Sequence, residues 1–130
     1  MNQHTHTQIE EELSGRVIEL KEGESKVRLQ TTSNMRTDET GLIHGGFIFS
    51  LADYAAMVAV NHPNVVLASA HVKFLKPAIV NDVLTANAEV KNKEGKKYIV
   101  EAHIFRGPDL IFDGEFTCIV PNKHVLEGRV

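Results

Sequence analysis

Asp53 stands inside the most apolar stretch of the chain, between Leu51-Ala52 and Tyr54-Ala55-Ala56. An ionised carboxylate in apolar surroundings is costly unless it is paired or hydrogen-bonded. Burial raises its pKa and makes it a better proton acceptor near neutral pH. The plain alternative is a carboxylate that faces solvent on a groove or caps a neighbouring loop. His44-Gly45-Gly46 opens the same stretch. Two glycines let another group come close to the backbone. The first N–H groups of a helix lack internal partners and point outward with the positive end of the dipole. Such a terminus suits a carbonyl oxygen that becomes an oxyanion. The alternative is a loop-to-helix junction with unusual backbone angles. Together, a donor site and a carboxylate are the parts of an acyl-transfer site.

The elements that must position these groups follow from periodicity. Residues 44 to 61 are apolar on nearly every side, which predicts a buried helix roughly 25 Å long. Pro63 closes it, because the residue before a proline is biased away from helix. Gly45 and Asp53 are then roughly 12 Å apart along one helix. That is too far for both to grip one carbonyl, so cooperation needs two subunits of a symmetric dimer, one helix from each. Residues 8 to 14 read as a short acidic helix, residues 16 to 20 and 25 to 31 as strands, and residues 33 to 43 as a loop. Four further strands are predicted over residues 65 to 76, 83 to 91, 97 to 106 and 110 to 120. In the first of these, Ala68, Ala70, Val72 and Phe74 alternate with Leu67, Ser69, His71 and Lys73. Asn92-Lys93-Glu94-Gly95 reads as a hairpin turn. Short turns imply antiparallel neighbours, and one antiparallel sheet must bury the single long helix. The economical arrangement is a sheet curled around it.

The chain has 130 residues, 42% hydrophobic and 24% charged, which fits one globular domain over residues 1 to 130 with an N-terminal segment over residues 1 to 14. A formal charge of −3 lacks the basic footprint of a nucleic-acid binder. One cysteine, Cys118, rules out an intrachain disulfide and favours a reducing compartment. The N-terminus does not have the pattern of a signal peptide, and the apolar stretch is too short and interrupted for a membrane span. A soluble, cytoplasmic protein without membrane or nucleic-acid partners is expected.

The stretch GLIHGGFIFSLADYAAMVAV resembles the central helix of hotdog-fold acyl-CoA thioesterases of the phenylacetyl-CoA thioesterase type. Those carry His-Gly-Gly at the helix start and an acidic residue nine positions after the histidine, as Asp53 follows His44. AHVKFLKPAIVNDVL resembles the family's strand with its Phe-Leu-x-Pro-Ala ending. The likeness in order and spacing covers residues 25 to 120. It implies an α+β hotdog fold, with an antiparallel sheet of five or six strands around the helix. It also implies edge-to-edge homodimers that pair into homotetramers, and an acyl-CoA site at the dimer interface. Asp53 would be the general base or a nucleophile, the Gly45 N–H would polarise the thioester carbonyl, and His44 would position the loop or the thioester. Gly46, Asp38, Leu67 and His71 would lie on the substrate side. Some family members carry Asn or Gln where Asp38 stands and Ser or Thr where Leu67 stands, so water positioning differs here. His71 lies six residues before Pro77, the spacing of a catalytic histidine in the branch that hydrolyses fluoroacetyl-CoA. The alternative is a polar residue on an interface strand.

Residues 73 to 106 carry seven Lys or Arg against four acids, a source of cations for coenzyme A phosphates or simply a solvated hairpin. His4-x-His6 lies in a segment expected to be mobile, and no metal site is expected. Cys118 alternates with core residues and reads as packing. No cofactor is expected. The first functional expectation is hydrolysis of an acyl-CoA to free acid and CoA. The second is an acyl-CoA-binding hotdog module without turnover, and the third is a hotdog dehydratase or hydratase.

Overall fold

A computed structural model describes residues 1 to 127. A one-turn helix α1 (Glu11–Ser14) leads into strands β1 (Arg16–Lys21) and β2 (Glu24–Gln30). After a 3-10 turn at Ser33–Met35 comes the long helix α2 (Gly45–Val60), then β3 (Val66–Phe74), β4 (Val83–Glu94), β5 (Lys97–Arg106) and β6 (Asp109–Ile119). The six strands form one antiparallel sheet in the order β1-β2-β4-β5-β6-β3. The sheet packs its inner face on α2, so the expected hotdog architecture, with six strands, is what the chain adopts.

Small side chains bring helix and sheet together. Ala52, Ala55, Ala56 and Ala59 are fully buried, and the Ser25 hydroxyl donates to the Ala55 carbonyl at 2.6 Å. That bond satisfies a buried hydroxyl. Val27, Leu84, Ala86, Val100, Ala102, Ile104, Phe112 and Phe116 supply the sheet side of the core. Helix α2 ends at Asn61 in the left-handed conformation (φ 54°), ahead of Pro63.

Residues 33 to 43 form the expected loop, and it is pinned: Met35 is fully buried as a plug, Arg36 pairs with Ile43, and the Thr37 N–H donates to Leu42 O at 2.7 Å. Two local expectations need correction. The β4–β5 turn is Gly95-Lys96 rather than Asn92 to Gly95, because a bulge between Val90 and Asn92 lets β4 run on to Glu94. The N-terminal arm does not stand free. It runs along α2, with Thr5 buried, Gln3 Nε2 donating to the Tyr54 hydroxyl at 3.0 Å, and the His4 N–H donating to Asn61 Oδ1 at 2.7 Å. His6 lies against the Tyr54 ring, and burial lowers its pKa.

Candidate active site

The loop before α2 is pinned so that His44 meets the helix in one way. The His44 N–H donates to Met35 O at 2.9 Å, and the Ile43 N–H donates to Ala78 O at 2.9 Å. His44 is the N-cap, with extended backbone (φ −61°, ψ 131°), and its Nδ1 accepts from the Gly46 N–H at 2.6 Å. An imidazole that accepts at Nδ1 is neutral and carries its hydrogen on Nε2. A side chain at Gly46 would meet the His44 ring at 2.8 Å, so glycine is what lets the ring fold back over the helix start. The Phe47 N–H is taken by His44 O at 3.1 Å. The Gly45 N–H has no acceptor among the described residues. It is therefore the free donor of this terminus. Phe74 walls it on one side: its ring edge comes within 3.4 Å of where a Gly45 Cβ would stand, and the ring is 53% exposed.

Asp53 lies on the face of α2 that the sheet leaves open, together with Gly46 and Ser50 at helical spacing. Its Oδ1 is out of contact with solvent and has no hydrogen-bond partner among the described residues. Burial pushes its carboxyl up to about 6. Cys118 on β6 is close enough to feel that charge. Burial first, and Asp53 second, push its thiol up to about 12, so it is an inert neighbour at neutral pH. Leu67 pairs with Cys118 across β3 and β6 and lies on the same inner face. The structure therefore brings Asp53 and Leu67 to one region and holds Gly45 at the far end of the helix.

Two of the expected residues are placed otherwise. Asp38 is exposed and turned into its own loop, where Oδ1 accepts from the Thr40 hydroxyl at 2.6 Å and the Thr40 N–H at 2.9 Å. Those bonds lower its pKa, and it adds nothing to the rise at Asp53, which comes from burial. His71 does not share a face with Leu67. Ala68 is an extra residue between the pairs Leu67–Cys118 and Ser69–Thr117, and the bulge reverses the alternation. Leu67, Ala70, Val72 and Phe74 point inward, while Ser69, His71 and Lys73 point outward. His71 sits beside Glu115 on the outer face, away from Asp53. The sequence offered no sign of that bulge. Phe74 was also missed, although the Phe-Leu-Lys-Pro ending marks the place where β3 must turn beside the helix start.

Three of the seven candidate phosphate-binding cations, Lys76, Lys91 and Arg106, are engaged by carboxylates. Lys91 pairs with Glu89 at 3.2 Å and Glu101 at 3.8 Å, and Lys76 pairs with Asp109 at 3.4 Å. Arg106 lies between Asp82 and Asp109, each at 3.6 Å, and donates to Pro77 O at 2.6 Å. Among the described residues no three His, Cys, Asp or Glu gather as a metal site, and no helix is long and apolar enough to cross a membrane.

Residues 40 to 111 match the thioesterase superfamily, more than half of the chain, and the chain belongs to that family. Its likeness to the phenylacetyl-CoA thioesterase type holds in solved structures: the Escherichia coli PaaI protein of the phenylacetic acid degradation operon superposes with a TM-score of 0.79 at 25% identity, over 86% of this chain and 83% of that one. A protein of Pyrococcus horikoshii is 48% identical over 97% of both chains, with a TM-score of 0.96. Among curated relatives, the methylthioribose-1-phosphate isomerase of Aquifex aeolicus is 53% identical over 92% of this chain and 26% of its own length. The transcription factor FapR of Caldanaerobacter subterraneus is 29% identical over 91% of this chain and 60% of its own length. The chain thus spans about a quarter of the first relative and three fifths of the second.

Proposed function

We propose that the chain is a single-domain acyl-CoA thioesterase, working as a homodimer, or as a homotetramer of paired dimers, in the cytoplasm. The observation that carries this reading is Asp53: a desolvated carboxylate with an unpartnered oxygen on the open face of the helix. A carboxyl that titrates near 6 is ionised at neutral pH and basic enough to take a proton from water. As the water oxygen attacks the thioester carbonyl, Asp53 accepts its proton. The carbonyl oxygen becomes an oxyanion and is met by the free Gly45 N–H of the partner helix. Collapse breaks the C–S bond and returns the proton to the leaving sulfur, giving free acid and CoA. The same carboxylate, acting instead as a nucleophile, would form a mixed anhydride that water then opens. His44 sets the geometry by fixing the first turn, and no cofactor takes part. The roles of Gly46 and Leu67 are to shape the substrate side. Asp38 and His71 have no part within one protomer.

The second reading is acyl-CoA binding without turnover. It is favoured by the relatives named as a transcription factor, and by Leu67 standing where some thioesterases of this type carry Ser or Thr. The isomerase activity in the Aquifex name is not carried over, since this chain matches 26% of that protein. The deciding experiment is CoA release, followed with a thiol reagent, by the wild type and Asp53→Ala across short, long and aromatic acyl-CoAs. Release by the wild type alone supports the hydrolase. Binding without release from any substrate supports the second reading. Equal release by both proteins means that the carboxylate has been placed wrongly.

A further inference from the structure

Between α1 and the start of α2 runs an open groove of about 500 Å³, lined by Leu13, Ser14, His44, Gly46, Phe47 and Ser50. We infer that this groove seats the acyl group of the substrate, that it takes an apolar acyl group without a second carboxylate, and that Leu13 sets how long that group is. The inference rests on the thioesterase reading and adds the substrate class to it.

Four observations carry it. The groove shares His44 and Gly46 with the helix start whose Gly45 N–H is free, so it is continuous with the candidate site. Its lining has no charged side chain; the one ionisable group is the neutral, capping His44. Its two hydroxyls share one hydrogen bond, Ser14 Oγ to Ser50 Oγ at 2.7 Å, so only one O–H is left to donate to a polar occupant. A carboxylate brought here would lose water and find no cation, and that is expensive. The fourth is Leu13, which is 41% exposed on a one-turn helix and lines the groove. Helix α1 is packed closely on the core beneath it: Gly15, which follows it at φ 104°, lies so near Val27 and Leu51 that an added Cβ would meet them at 2.8 and 3.0 Å. With α1 held this close, the side chain at position 13 sets the space, as hydrophobic pockets do when they discriminate chain lengths.

The test is a chain-length profile. CoA release is measured for straight-chain acyl-CoAs from acetyl to palmitoyl, and for butyryl-CoA against succinyl-CoA, with the wild type, Leu13→Trp, Leu13→Ala and Asp53→Asn. The expected wild-type result is a preference for butyryl over succinyl of about tenfold or more. Leu13→Trp should lose activity progressively with chain length, and Leu13→Ala should shift the optimum to longer chains. Thermal melting checks that these surface variants stay folded. If Asp53→Asn is inactive but neither Leu13 variant changes the profile, the groove is not the acyl site while the thioesterase reading stands. The same holds if succinyl-CoA is the better substrate. If the wild type releases no CoA at all, the thioesterase reading fails and the groove is judged by binding. Acyl-CoAs should then bind more tightly than CoA, with the gain lost in Leu13→Trp; an equal gain in both proteins, or none in either, overturns the inference.

Discussion

Asp53 sets function against stability. Its carboxyl titrates near 6 in the fold and at 3.8 when free, so ionising it in the folded state costs about 3 kcal/mol. Because the folded value is raised, the contribution to stability is full below pH 3.8 and is lost as pH rises through 6. Asp53→Asn removes the charge but still buries an amide. At pH 7.5 the variant should be about 1–2 kcal/mol more stable than the wild type, and at pH 3.5 that advantage should be gone. Denaturant titrations at the two pH values measure this. A variant less stable at pH 7.5 would mean that the carboxylate has a partner in the assembled protein. On the proposed thioesterase reading the same residue sets the acid limb of catalysis: kcat/KM should fall below pH 6 as the base takes up its proton. His44 acts on a different quantity. His44→Ala leaves the Gly46 N–H without its cap and should cost about 1 kcal/mol, while His44→Asn should restore most of it, read as Tm.

At the scale of elements, the outer face of the sheet shows what registers do. Glu24, Glu89, Glu101 and Glu115 fall opposite one another across β2, β4, β5 and β6, with His71 next in line on β3. Lys91 bridges Glu89 and Glu101, and Glu115 has Glu101 on one side and His71 on the other. Like charges directly opposite are destabilising. Glu115→Gln should therefore stabilise the fold by a few tenths of a kcal/mol, a gain that shrinks in high salt, visible in the urea midpoint. Helix α2 was legible because its apolar run has one length, one carboxylate and one terminating proline. The strands were legible from alternation, as in Leu84, Ala86 and Ala88 on β4. The face of His71 was not, because a single extra residue at Ala68 leaves the spacing to Pro77 untouched while reversing every side chain beyond it. The docked N-terminal arm was hidden for another reason: Gln3–Tyr54 and His4–Asn61 join residues more than fifty apart through polar atoms, which periodicity does not register.

At the scale of the whole molecule, the free Gly45 N–H and the unpartnered Asp53 oxygen lie two helical turns apart on one rod, roughly 12 Å. A site that needs both must take one from each of two copies, and β3, with only β6 beside it, leaves an edge at which a second sheet can continue. That arrangement is testable without a structure of the dimer. Gly45→Pro deletes the donor with little harm to the helix, because proline is favoured at the first helical position and His44 already has the extended backbone that a following proline demands. An added Cβ there meets only the Phe74 ring, at 3.4 Å. Alone, Gly45→Pro should lose activity by about a hundredfold or more while keeping its circular dichroism and Tm. Asp53→Asn alone should be inactive. Co-expressed in equal amounts, the two chains assort at random. Half of the dimers are then mixed, and each mixed dimer carries one site with both lesions and one with neither. About a quarter of wild-type activity should return. If donor and base belonged to the same chain, every site in every dimer would carry a lesion, and mixing would recover nothing.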